Sequence, residues 1–342
     1  MDARGPILGV ETSCDETAAA VVTSEGTVVA NTIFSQTVHT AYGGVVPELA
    51  SREHAGRLPT IVRQAMETAD VGWDDLRGIA VTAGPGLVGC LLVGVAYARS
   101  AARARNLPLY AINHLEAHAH TPAMTAPGLT YPYLVLIASG GHTSLVVVER
   151  PGHFHEIGRT RDDAAGEALD KVGKLLGFDY PAGPQLDRIG HSGHADAVAF
   201  PRVRLASGPY DFSFSGLKTA AAFDWKGRRD GRRPEVSLSD WVASFESAVM
   251  ESLTSTLARA ADELKIATVG LAGGVARNRR LRAQVTAWAE RTGRRAVVPP
   301  PDWCADNAAM IASVGLYQDA LRDSASADAF PGWALGTPYP GL

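Results

Sequence analysis

Short apolar runs alternate along the chain with longer stretches whose apolar residues recur every three or four positions, the pattern of an α/β protein. ILGVE (7–11) and TAAAVVT (17–23) predict two strands, and GTVVANTIF (26–34) predicts the third strand of a meander. From Pro47 to Ala69 the spacing is helical, with Pro59 expected to break it. GIAVTAG (78–84) reads as a strand that meets a Gly-rich turn and a buried helix, and LYAIN (109–113) reads as another strand. The run YLVLIASGGHTSLVVVER (133–150) then repeats an earlier arrangement, ILGVETSCDETAAAVVT (7–23), with small and hydroxylated residues at the tip of a hairpin. Two such halves suggest a duplicated α/β fold around a cleft, although the pattern alone leaves duplication open. Helices are expected over 165–177, 238–264, 277–293 and 307–321, with ATVGLAG (267–273) a strand among them. The least regular stretch is Pro181–Pro234, and KGRRDGRRP (226–234) within it is expected to be an exposed loop.

Composition narrows the picture. A length of 342 residues suggests two domains, and 46% hydrophobic residues can fill two cores. A net charge of −4 excludes a global positive field for nucleic acid and leaves only a local patch. The cysteines Cys14, Cys90 and Cys304 are scattered and odd in number, which fits a reducing compartment. The N-terminal apolar run is too short for a signal peptide, and the longest apolar stretch, from Gly86, is too short for a membrane span. The expectation is a soluble cytoplasmic protein with no membrane partner.

Three turns could cradle an anion: ETSCDET (11–17), ASGGHTS (138–144) and LAGGVARN (271–278). None matches the Walker or G-x-G-x-x-G pattern, so together they fit a split nucleotide site better than a P-loop or a dinucleotide fold. Asp170 falls off the apolar face of its helix, where it serves a cleft or is simply solvated. Gly183, in YPAGP, could let a sugar approach the backbone, and Asp187 could accept from ribose hydroxyls.

The segment NHLEAHAH (113–120) places His114 and His118 four residues apart, on one helical face. That spacing suits two imidazoles on one metal, and equally a core or surface histidine pair. A zincin protease needs Glu directly after the first His; here that residue is Leu115, and Glu116 points about 200° away. The best third ligand is Asp306, in CADNAAMIA, whose competing role is a helix N-cap. His120 falls outside the pair and is expected to be peripheral or solvated.

GVETSCDET, HLEAHAH, ASGGHTSL, DDAAGEALDKVGKLLG, DFSFSGLKTA, LAGGVARNRRLR and CADNAAMIA together closely resemble the tRNA threonylcarbamoyladenosine transferase family, known in bacteria as TsaD. The resemblance runs from about Ile7 to about Tyr317. It implies an actin-like, Hsp70-like ATPase fold of two RNase-H-like domains. The division expected is 1–113, completed by 322–342, and 114–321. It implies transfer of a threonylcarbamoyl group from threonylcarbamoyl-adenylate to N6 of the adenosine beside the anticodon of ANN-decoding tRNAs. By motif, His114, His118 and Asp306 look like ligands of one divalent ion, Fe2+ or Zn2+. Ile137, Ala138, Ser139, Gly140 and Gly141 look like the substrate loop, and Asp170, Gly183, Asp187 and Asn278 like further contacts. Relatives act with a paralogous TsaB subunit and a TsaE ATPase. Where relatives often read Ser-Ala-Asn, this chain reads Ala276-Arg277-Asn278, which keeps the asparagine and adds a charge.

The implied chemistry needs a proton acceptor, for which Glu16 or Asp15 is the candidate, and donors such as the Gly140 and Gly141 amides for the phosphate. Lys218 and the cations of KGRRDGRR are candidate RNA contacts. A sugar or acetate kinase of the same fold would not need the histidines, and a non-catalytic scaffold would not need the three ligands.

Overall fold

The computed structural model describes residues 5–202, 205 and 208–341. The chain begins with β1 (Ile7–Glu11), β2 (Glu16–Val22), β3 (Val28–Ser35), α1 (Pro47–Ala69), β4 (Gly78–Gly84), α2 (Val88–Arg105), β5 (Leu109–Asn113) and α3 (His114–Thr125). It continues with β6 (Tyr133–Ala138), β7 (Thr143–Arg150), β8 (His153–Arg159), α4 (Ala165–Leu175), α5 (Gly183–Gly190) and α6 (Ser215–Arg229). The rest comprises α7 (Leu238–Glu263), β9 (Thr268–Ala272), α8 (Arg279–Arg291), β10 (Arg295–Val297), α9 (Pro301–Cys304) and α10 (Ala308–Gly315).

The chain divides into two compact units. The first takes the described residues up to Pro127, Arg150–Phe154, and those from Asp306 onward; the second takes Gly128–Glu149 and His155–Ala305. The sequence division at 113/114 therefore falls inside the first unit, which keeps α3 and recovers α10. Close packing explains the second of these: a Cβ on Gly9 of β1 would lie 2.2 Å from the Ala308 carbonyl oxygen of α10. Only glycine lets that helix lie so near its strand.

The first sheet has strand order β3-β2-β1-β4-β5 and the second β10-β9-β6-β7-β8. In each, the leading strand sits at the centre. It pairs antiparallel with the next strand of its meander and parallel with a later strand. The second order read backwards reproduces the first, so the duplication that the two hairpins hinted at is a property of the topology. The hairpins correspond too. Pairing stops at Glu11↔Ala18 in one and at Ala138↔Thr143 in the other, leaving the two candidate loops beyond the last rungs. The first core gathers Leu8, Val10, Ile79, Val81 and Leu109 with Leu58 and Val62 of α1. The second gathers Leu134, Leu136, Val269 and Leu271 with Trp241, Phe245 and Val249 of α7.

Two local expectations are overturned. Helix α1 runs through Pro59 without a break, because Pro59 lies on the exposed side while Leu58, Ile61, Val62 and Ala65 are buried. That apolar burial outweighs the cost of an interior proline, about 3 kcal/mol for its lost hydrogen bond and ring clash together. KGRRDGRRP is not all loop, since α6 continues to Arg229. Asp224 in this helix is buried and binds Arg228 and Arg233 by side-chain pairs at 2.6 Å each, which draws the following segment back onto it. Among the described residues no helix is long and apolar enough to cross a membrane.

Candidate functional site

In the first unit, strand β5 ends at Asn113, whose side chain accepts from the amides of Leu115 (2.9 Å) and Glu116 (3.3 Å) and so starts α3 at His114. His118 follows one turn later, and the two rings lie edge to face with centroids 4.7 Å apart. The cap of α10 is Asn307, which accepts from the Met310 amide at 3.1 Å. Asp306 is therefore not the cap. Its Oδ1 lies 2.9 Å from Nε2 of His118 and 3.6 Å from Nε2 of His114. The histidines thus form a buried pair rather than a surface one, and the Asp306 carboxylate meets them.

Glu11, at the end of β1, orients this cluster. Its Oε2 accepts from Nδ1 of His114 at 3.0 Å and from Thr82 Oγ1 at 2.6 Å. A carboxylate only accepts, so His114 carries its proton on Nδ1 and turns Nε2 toward Asp306. Burial would raise the Glu11 pKa, but the charge and hydrogen bond of His114 outweigh it and hold it below the ordinary carboxylate value. Burial likewise disfavours a charged His114, yet Asp306 and Glu11 pull its pKa up to about 9. Glu16 is held well above the ordinary range, first by burial and then by the charges of Asp306 and Asp15. With both histidines neutral, as metal ligands are, the two carboxylates leave this cluster with an excess of negative charge that a cation would balance. One donor atom from each of His114, His118 and Asp306 lies within 4.8 Å of the others. The Nδ1 of buried His118 has no hydrogen-bond partner among the described residues. This donor set fits a transition-metal or zinc cation.

The neighbouring residues of the motif have other work. Glu116 accepts from the Gly336 amide (3.0 Å) and from Gln318 (3.2 Å), fastening the C-terminal segment. Burial is the main reason its pKa rises to about 7. His120 is buried rather than solvated and packs on Tyr317, with ring centroids 5.3 Å apart; it faces away from the cluster because it lies two residues past His118.

In the second unit, the loop Ile137–Gly141 leaves β6 and is closed by the Ser139 amide donating to the His142 carbonyl at 2.8 Å. Two other motifs abut this turn. A Cβ on Gly166 would lie 2.6 Å from the Ser139 carbonyl oxygen, and one on Gly273 would lie 2.4 Å from that of Ala138. Gly140 and Gly141 themselves are exposed, with open space where a Cβ would sit. Asp170 accepts from the Ala182 amide at 2.8 Å and so fixes the turn into α5, where Gly183 has open space beside it. Asp187, on α5, accepts from the Arg279 amide (3.2 Å) and Nε (2.8 Å). Asn278 caps α8 through the Leu281 amide at 3.0 Å and donates from Nδ2 to Glu246 at 2.7 Å. The loop, Asp170, Gly183, Asp187 and Asn278 thus all belong to the second unit, and the three cation donors with Asp15 and Glu16 to the first.

Glu246, Arg279 and Glu11 were not singled out from the sequence. For Glu246 a signal existed: a lone carboxylate inside WVASFESAVM, in a helix otherwise apolar on both sides, needs a buried partner. Arg279 gives no such signal among the neighbouring arginines.

Two copies of one mixed five-stranded sheet, each with its open hairpin tip, define an actin-like and Hsp70-like ATPase fold. Solved structures agree at the level of fold. Component A of the Acidaminococcus fermentans (R)-2-hydroxyglutaryl-CoA dehydratase matches with a TM-score of 0.54 and 15% identity, over 94% of this chain and 99% of that one. T. kodakarensis HypF matches with a TM-score of 0.60 and 14% identity, over 92% of this chain and 48% of its own. The model of the TsaD family, tRNA N6-adenosine threonylcarbamoyltransferase, matches residues 27–313. Curated relatives of that name include one from Desulfitobacterium hafniense (strain Y51), 46% identical over 96% of this chain and 97% of its own. Another, from Geobacter sulfurreducens, is 47% identical over 91% of each. The chain belongs to the tRNA N6-adenosine threonylcarbamoyltransferase family.

Proposed function

We propose that this enzyme transfers the threonylcarbamoyl group of threonylcarbamoyl-adenylate to N6 of the adenosine next to the anticodon in ANN-decoding tRNAs, releasing AMP. The observation that carries the reading is the meeting of His114, His118 and Asp306 within 4.8 Å, in a chain that matches the family over most of its length. These three residues would hold one divalent cation, Fe2+ or Zn2+, and when bound it would supply Lewis-acid polarisation of the donor's carbonyl.

The other roles fall to the chain itself. The amides of Gly140 and Gly141 offer donors to the adenylate phosphate, with Ile137, Ala138 and Ser139 setting the loop's course. Asp170 holds the turn that presents Gly183 to the nucleotide, and Asp187 and Asn278 flank it. The acceptor amine must lose a proton as its new bond to the carbamoyl carbon forms and the bond to phosphate breaks. Glu16 or Asp15 receives that proton. Work in the cytoplasm, beside a TsaB-type subunit and a TsaE-type ATPase, completes the reading.

The test is reconstitution with tRNA and threonylcarbamoyl-adenylate, comparing the intact chain with Asp306→Ala. The variant is expected to keep its circular dichroism spectrum, to lose stoichiometric metal and to lose transfer. Wild-type transfer rates from the metal-stripped variant would refute the mechanism.

A further inference from the structure

Helices α4 and α6 of the second unit enclose a groove of about 380 Å³ lined by Lys171, Leu175, Lys218, Ala222, Phe223 and Lys226, among others. At 100° per residue, Lys218, Ala222, Lys226 and Arg229 fall within an arc of 80° on α6, and Phe223 follows 60° beyond Lys226. Phe223 is 70% exposed, the most exposed large hydrophobic side chain among the described residues.

The cations nearby divide into two kinds. Arg228 and Arg233 are held by Asp224, and Arg232 is held by Asp230. Lys171 and Lys218 share Asp163. Lys226 and Arg229 have no carboxylate partner among the described residues, and both are exposed. The densest basic stretch of the chain is therefore mostly neutralised internally; of its two unpaired charges, Lys226 lines the same groove as the bare aromatic ring of Phe223, and Arg229 stands on the same helical stripe as Lys226.

We infer that this α4–α6 face is a tRNA-docking surface, with Lys226 and Arg229 meeting phosphates and the Phe223 ring stacking on an unpaired base. The inference rests on the proposed function for the identity of the RNA. Charge complementarity selects the occupant: a polyanion suits free cations on a chain whose net charge is otherwise negative. An open aromatic face beside lysines is also how single-stranded nucleic acid is gripped without sequence readout.

The test measures anisotropy of labelled substrate tRNA with the full-length chain across a salt series, alongside transfer kinetics in the assembly that supports them. Lys226→Ala should weaken binding and lower the slope of log K against log salt by about one. Phe223→Ala should weaken binding on the order of tenfold with the slope unchanged. Both should raise KM for tRNA and leave kcat at saturating tRNA unaltered. Arg232→Ala, whose charge is already paired, should bind as wild type. Wild-type affinity and slope in both Lys226→Ala and Phe223→Ala would overturn the docking surface, as would loss of affinity for an acidic protein partner with tRNA binding intact. Absence of transfer by the wild-type assembly would instead count against the proposed function, and the binding arm would still decide the surface.

Discussion

Glu246→Gln should stabilise the protein increasingly as pH rises from about 4.5 to about 7, and by a near-constant amount above that. The Glu246 carboxyl is buried on α7 and accepts from Asn278 at 2.7 Å. Burial is the main cause that lifts its pKa from 4.5 to about 7; Asn278 and the charges of Arg280 and Arg279 oppose the rise, and Asp187 adds to it. The folded carboxyl thus binds its proton more tightly than the unfolded one. Its favourable contribution is full below the unfolded value and is lost as pH rises through the folded value. Glutamine keeps the shape, with one oxygen to accept from Asn278 and an NH2 in place of the acid hydroxyl, and never ionises. Linkage then gives an advantage to the variant of about 1 kcal/mol near pH 5 that grows to about 3 kcal/mol by pH 7 and stays there. Urea melts of both proteins at a series of pH values would measure this. Tryptophan fluorescence is the probe, because Trp241 lies in the same helix and core. Only the difference between the two profiles matters, since it cancels the other titrating groups. Parallel profiles from pH 5 to pH 8 would refute the account of Glu246 as a carboxyl forced to hold its proton.

Glu11→Gln should lower metal affinity by about 10- to 100-fold, because the partner that turns His114 loses its charge; titration with a competing chelator reads this, and unchanged affinity would remove Glu11 from the centre. Gly166→Ala should displace the Ser139–Gly140 turn, since its Cβ would need space 2.6 Å from a backbone oxygen. The expected result is destabilisation of about 1–3 kcal/mol and a raised KM for the adenylate, seen in melts and initial rates. Asp224→Ala should cost about 3–5 kcal/mol by leaving Arg228 without its buried partner, visible as a lower urea midpoint.

Most strands could be read from the sequence because each is a compact apolar run; β1 over Ile7–Glu11 and β5 over Leu109–Asn113 coincide with their motifs. The meeting of His114, His118 and Asp306 was legible because the two histidines carry a local period and Asp306 carries a motif. What was hidden depends on partners distant in sequence. Whether α1 survives Pro59 is settled by which face meets the sheet. Whether Asp306 or Asn307 caps α10 is settled by which side chain reaches the Met310 amide. β8 alternates weakly and β10 has only three residues, so neither gives a period to detect.

The return of Asp306 to α3 has a consequence for the making of the protein. It meets His118 across 188 positions of sequence. At about 5–20 residues per second of synthesis, the ribosome needs roughly 10–40 s to span that interval. During that time the emerging first unit has its sheet but lacks α10 on β1 and Trp333 in its core. Two histidines without their carboxylate would hold a cation poorly, so under the proposed function the nascent chain would load its ion only after α10 docks.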